Sequence, residues 1–198
     1  MADSDEPPDE TLIAGIVAGD RDAVAALYRR RRADVFRFAL LMSGSRAVAD
    51  DVAQDVFMEV IRRPDRYQPG RSGVVAWLLG IARNHVLRSR HRQRFMTPMG
   101  GEDRSPALVV STDPLAGMAR QQHIAALRRA LLLLPVKYRG AIVLCDLQDM
   151  TYADAAASLG CAIGTVRSRL HRARGLLAAR LSPSDGAVWR SPIARWLP

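Results

Sequence analysis

The sequence is short of cysteine, of lysine and of long apolar runs. Its two cysteines, Cys145 and Cys161, form no C-x-x-C pair, which excludes a disulfide-stapled scaffold and gives no zinc-site spacing. They read as small buried apolar residues. The histidines His85, His91, His123 and His171 lack any H-x-x-x-H spacing, so neither a metal nor a cofactor is expected. Apolar runs such as Ala130 to Val136 fall far short of the ~20 residues that cross a bilayer. The first residues carry Asp3, Asp5 and Glu6 where a signal peptide would carry bases. A cytoplasmic protein with no membrane insertion is therefore expected.

Lysine is nearly missing. Lys137 stands alone, so 28 of the 29 basic side chains are arginine, and the net charge is +9. A basic balance favours an anionic partner, and the planar guanidinium can fork onto a phosphate or a guanine edge. The charge is unevenly placed. Residues 83–94 hold Arg83, Arg88, Arg90, Arg92 and Arg94 with no acid, and residues 165–180 hold Arg167, Arg169, Arg172, Arg174 and Arg180 with no acid. Two acid-free basic segments on amphipathic helices point to nucleic acid.

At 198 residues the chain can form one medium domain or two small ones. Its periodicity is helical throughout, with no alternating strand pattern, so the expected fold class is all-α, with two small helical domains joined by a flexible linker. The expected segments are a disordered acidic tail over 1–10, a first domain of about four helices over 11–94, a linker over 95–120, a second domain over 121–181, and an irregular tail over 182–198. In the first domain, Val48, Val52, Val56 and Val60 recur at four with Ala53, Phe57 and Ile61 beside them, one apolar stripe. Asp51, Gln54, Asp55, Met58 and Glu59 occupy the other side. A loop over 65–73 leads into a stripe of Val74, Trp77, Leu78, Ile81, Ala82 and Val86. Trp77 lies on that stripe and reads as core.

The end of the second domain has the pattern of a helix-turn-helix. Thr151 can cap a short helix, Tyr152–Leu159, with Asp154 placed for a weak reciprocal box. Gly160 supplies the positive φ of a tight turn, and Thr165 is the candidate cap of a long final helix. At roughly 100° per residue, Val166, Leu170, Ala173 and Leu177 share one face, and Arg167, Ser168, His171 and Arg172 share the opposite one. Arg169 and Arg174 flank it. The centre suits base edges and the flanks suit phosphates.

These motifs resemble the extracytoplasmic-function (ECF) group of bacterial RNA polymerase sigma factors. Gly164–Arg174 resembles the family's minus-thirty-five recognition helix. Ala49-Asp50-Asp51-Val52-Ala53-Gln54-Asp55-Val56-Phe57 resembles the segment that grips the polymerase clamp, and Trp77-Leu78-Leu79-Gly80-Ile81-Ala82-Arg83-Asn84 resembles the helix that handles the minus-ten element. The resemblance spans about residues 11–181 and implies sigma-2-like and sigma-4-like domains. It further implies a factor that binds core RNA polymerase and directs promoter recognition and transcription initiation. Polymerase binding would fall to Asp51, Gln54, Asp55 and Glu59. Minus-ten contacts would fall to Arg71, Arg83, Asn84, Arg88, Arg90 and Arg92, with Asn84 on a base edge and the helix arginines on phosphates. Minus-thirty-five contacts would fall to Arg167, Ser168, Arg169, His171, Arg172 and Arg174. An anti-sigma partner is implied by resemblance alone. The chain departs from the family at Ala162, where proline is frequent, and in the loop Gln68-Pro69-Gly70-Arg71.

Two rival readings have different requirements. A free-standing helix-turn-helix regulator that binds operators without polymerase calls for a dimer and palindromic sites, and no clear dimerisation heptad is present. An enzyme acting on nucleic acid calls for clustered carboxylates or metal ligands. The only dense acids, Asp50, Asp51 and Asp55, have no His or Cys in company. No catalytic residue and no enzymatic activity is expected.

Overall fold

The computed structural model describes residues 7–96 and 116–181. Among the described residues every regular element is helical: α1 Asp9–Val17, α2 Arg21–Ser43, α3 Arg46–Arg62, a single 3-10 turn Pro64–Arg66, α4 Val74–Met96, α5 Ala116–Leu132, α6 Val136–Asp146, α7 Tyr152–Leu159 and α8 Ile163–Leu181. Their ends follow local chemistry. The Asp20 carboxylate caps α2 by accepting from the Asp22 and Ala23 amides at 2.8 and 3.3 Å. Gly44, at φ +77°, ends α2, and Ser45 caps α3. Each supplies a partner or a backbone shape that a helix end lacks.

Two expected boundaries move. Helix α1 begins at Asp9, inside the stretch read as a disordered tail, because Asp9 is an anchor. It is 7% exposed and held by Arg30 Nη1 at 2.9 Å and Arg31 Nε at 2.6 Å. The expected linker over 95–120 is shorter at both ends, since α4 runs to Met96 and α5 starts at Ala116. The tail over 182–198, with Trp189 and Trp196, lies outside the described residues.

Helices α1 to α4 form one bundle around α2, and α5 to α8 form a second around α6 and α8. The predicted valine stripe of α3 is buried at Val52, Val56 and Val60. The two bundles also pack on each other, α7 against α4 and α6 against α2. Arg139 of α6 lies in that junction, 2% exposed. It donates through Nη1 to the Met42 carbonyl near the end of α2 at 2.5 Å. Through Nη2 it donates to the Leu132 carbonyl at the end of α5, and to the Leu134 carbonyl at 3.1 Å. A buried cation is tolerated where carbonyls at helix C-termini carry the opposite partial charge. Replacing it strands buried acceptors, which costs about 1–3 kcal/mol each. Arg139→Met is therefore expected to lower the stability of the chain by about 2–4 kcal/mol, read as a lower urea midpoint. An unchanged midpoint would contradict this account.

Candidate DNA and polymerase interfaces

Helix α8 carries the expected two-faced pattern. Val166, Leu170, Ala173 and Leu177 are buried, and Arg167, Ser168, His171 and Arg172 are exposed. Thr165 is not its cap. The helix starts at Ile163, and the Thr165 and Val166 amides donate to the Ala162 carbonyl at 2.9 and 3.2 Å, so Thr165 lies in the first turn. The preceding helix keeps its predicted ends: Thr151 Oγ1 accepts from the Asp154 amide at 3.1 Å, and Gly160 has φ +61°. The reciprocal half of the box differs, because the Thr151 hydroxyl donates to the Asp154 carboxylate at 2.8 Å.

The flanking arginines of α8 part company with the exposed four. Arg174 is held by both oxygens of Asp146, Nε to Oδ2 at 2.9 Å and Nη2 to Oδ1 at 2.6 Å. That bidentate fork fixes α8 to α6. Arg169 is half-buried and turned toward Cys161, with Nη1 3.7 Å from Sγ. Arg167 lies over the Tyr152 ring, 5.8 Å from its centroid.

The minus-ten set is brought together only in part. A cleft of about 430 Å³ is lined by Arg71, Arg83 and Asn84, with Trp77 on its wall and Ser158 and Gly160 of the second bundle on its far side. Arg88, Arg90 and Arg92 lie further along α4, outside that lining. Trp77 is half-buried: it packs against the edge of the core, as its place on the stripe implies, and tilts against the buried Tyr67 with ring centroids 5.3 Å apart. Tyr67 fixes the loop by donating to the Ser72 carbonyl at 3.1 Å. Burial, and after it the like charge of Arg169, push the Arg83 guanidinium below its ordinary range, with Cys161 opposing.

The acidic face of α3 is present. Asp51, Gln54 and Asp55 are exposed and Glu59 is half-buried. His85 of α4, absent from the predicted site, joins two of these acids. Its Nδ1 is 3.2 Å from Asp55 Oδ2 and its Nε2 is 3.0 Å from Glu59 Oε2. Arg66 reaches the other Glu59 oxygen at 3.3 Å. A lone histidine on a basic helix gives no spacing cue for this role. Nor does the arginine run 29–32 advertise its use: Arg30 and Arg31 hold Asp9, and Arg32 pairs with Asp50 at 3.5 Å. Among the described residues no group of three His, Cys, Asp or Glu side chains could hold a metal ion. None of the helices described is long and apolar enough to cross a membrane.

Comparison with known proteins decides the family. Residues 27–95 match the model for sigma-70 region 2, and residues 124–177 match the model for sigma-70 region 4. The chain belongs to the ECF family of RNA polymerase sigma factors. It is a polymerase-binding transcription initiation factor, and the reading as a free-standing operator-binding regulator is not favoured. Among its relatives, the ECF sigma factor SigE of Mycolicibacterium smegmatis is 36% identical over 96% of this chain and 77% of its own length. EcfG of Rhodopseudomonas palustris is 37% identical over 84% and 87% respectively. The solved structure of CnrH with the cytosolic domain of CnrY aligns with a TM-score of 0.65 at 27% identity, over 87% of this chain and 96% of that one. RpoE with the anti-sigma factor NepR from Bartonella quintana aligns at 0.57 and 31% identity, over 76% and 91%.

The two cysteines of this sigma factor are half-buried. Burial, with the Asp146 carboxylate beside it, pushes the Cys145 thiol up to about 11, with Arg174 opposing. The folded chain thus releases the Cys145 proton later than the unfolded chain does. The stability contributed by the neutral thiol is intact below about pH 9 and is lost as pH rises toward about 11. Cys145→Ala is expected to flatten the fall in stability across that window, measured by urea unfolding. An identical pH slope in the variant would contradict it.

Proposed function

We propose that the sigma factor uses three separate surfaces. Helix α8 presents Arg167, Ser168, His171 and Arg172 to the major groove of the minus-thirty-five element. Arg71, Arg83 and Asn84 at the cleft take the opened minus-ten strand, with Arg88, Arg90 and Arg92 continuing along the phosphate track. A cleft for an unstacked base beside backbone-binding arginines gives the single strand binding energy that the duplex does not receive. Asp51, Gln54, Asp55 and Glu59 dock on a basic surface of core polymerase.

The observation that carries this reading is α8, whose four exposed polar residues lie directly opposite four buried apolar ones. Arg169 and Arg174 act differently from the central four. Arg174 orients the helix through Asp146, and Arg169 belongs to the junction between the bundles. The chain works in the cytoplasm, contributes binding and no catalysis of its own, and is held inactive by an anti-sigma protein. The last point is supported by its likeness to a sigma factor solved with one.

Run-off transcription with core polymerase on a promoter library tests the reading: specific transcripts are expected only when this chain is added, and transcripts that do not depend on it would overturn it. Arg172→Ala is expected to weaken holoenzyme binding to the selected promoter by about 1–3 kcal/mol, measured by gel shift. Arg174→Ala should instead lower the urea midpoint. Equal promoter affinity for wild type and Arg172→Ala would remove Arg172 from the reading surface.

A further inference from the structure

We propose that the free sigma factor binds a nucleoside monophosphate, GMP above all, in the cleft between the two bundles, with the end of α7 as one wall of the site. The ligand is a free small molecule. Its wall on the second bundle has no part in the minus-ten assignment, so the proposal does not rest on that reading.

Charge points to a phosphate. The cleft, about 430 Å³, falls within the roughly 300–1,000 Å³ of small-ligand pockets. Arg66, Arg71 and Arg83 line it against one carboxylate, Glu59, which leaves two positive charges in excess. Glu59 is already engaged by Arg66 at 3.3 Å. Among the described residues, Arg71 and Arg83 hydrogen-bond only neutral amide oxygens, Gln68 Oε1 at 3.1 Å and Asn84 Oδ1 at 3.4 Å. Burial, and after it the charge of Arg169, push the Arg83 guanidinium below its ordinary range, and an anion beside it would oppose that push. A phosphate monoester carries about −1.5 to −2 charges at pH 7, enough to offset the excess.

The remaining walls point to a base. Trp77, backed by Tyr67 at 5.3 Å between ring centroids, offers a face for stacking. Gln68 and Asn84 spend their oxygens on the arginines, so their amide NH₂ groups are left to donate. Across the cleft stands an acceptor: a Cβ on Gly80 would lie 3.5 Å from the Ser158 carbonyl oxygen, and both residues line the space. Guanine matches a wall of donors facing an acceptor, since it accepts at O6 and N7 and donates from its exocyclic amine. The α7 wall is otherwise small. Ala157 is exposed, and a Cβ on Gly160 would meet nothing within 4 Å, which leaves room for a ring.

Calorimetric titration of the full chain with GMP, guanosine and inorganic phosphate tests the site. GMP is expected to bind at one site per chain, roughly tenfold or more tighter than either fragment, because only GMP engages the arginines and the ring together. Two variants locate it. Ala157→Glu places a carboxylate on the α7 wall at an exposed position, and should weaken GMP roughly tenfold with an unchanged urea midpoint. Arg71→Gln should weaken GMP and phosphate and leave guanosine as it was. No binding of GMP, phosphate binding as tightly as GMP, or undiminished GMP binding by Ala157→Glu would overturn the proposal. Neither DNA nor polymerase enters the titration, so its failure and a failure of run-off transcription are read separately.

Discussion

The arrangement of the whole molecule hangs on one buried guanidinium. Arg139 draws the carbonyl ends of α2 and α5 onto α6, and α6 carries α7 and α8 with it. A cation without water needs several acceptors in a fixed geometry. The Met42 carbonyl is its acceptor on the first bundle, so this buried bond ties the two bundles beside the packing of α7 on α4 and of α6 on α2.

The charges are divided by task. In the first half of α8 the exposed arginines, Arg167 and Arg172, are those opposite its apolar stripe, while Arg174 is neutralised by Asp146 and Arg30 and Arg31 by Asp9. Acids on α3 face solvent at Asp51 and Asp55, yet His85 and Arg66 tie Asp55 and Glu59 to the minus-ten helix and its loop. The face proposed for polymerase and the face proposed for promoter opening are therefore joined through these ion pairs.

Much of this was legible in the sequence where the signal is local. The valine stripe of α3, the Thr151 and Gly160 ends of α7 and the two faces of α8 all follow from helical periodicity and capping chemistry within one segment. Thr165 misled because a capping residue type also fits inside a first turn, and the start at Ile163 was decided by the backbone of Ala162. The contact between the bundles left no trace in the pattern. Ser158 and Ala76 are small residues 82 positions apart, and nothing about a serine in a helix names its partner. Arg139 and His85 were invisible for the same reason: their partners come from other helices. Trp77 lay on an apolar stripe and was read as core; it packs against the core from the edge of that stripe, and it also lines the cleft beside Ser158 and Gly160 of the second bundle.

Promoter reading is proposed for the exposed face of α8, where His171 and Arg172 lie opposite its buried stripe. The most direct measurement is run-off transcription on promoters randomised across the minus-thirty-five element, with holoenzyme carrying the wild type or the double variant His171→Ala/Arg172→Ala. A narrow sequence preference is expected for the wild type and a relaxed one for the variant. The same narrow preference from both would contradict the assignment of this face.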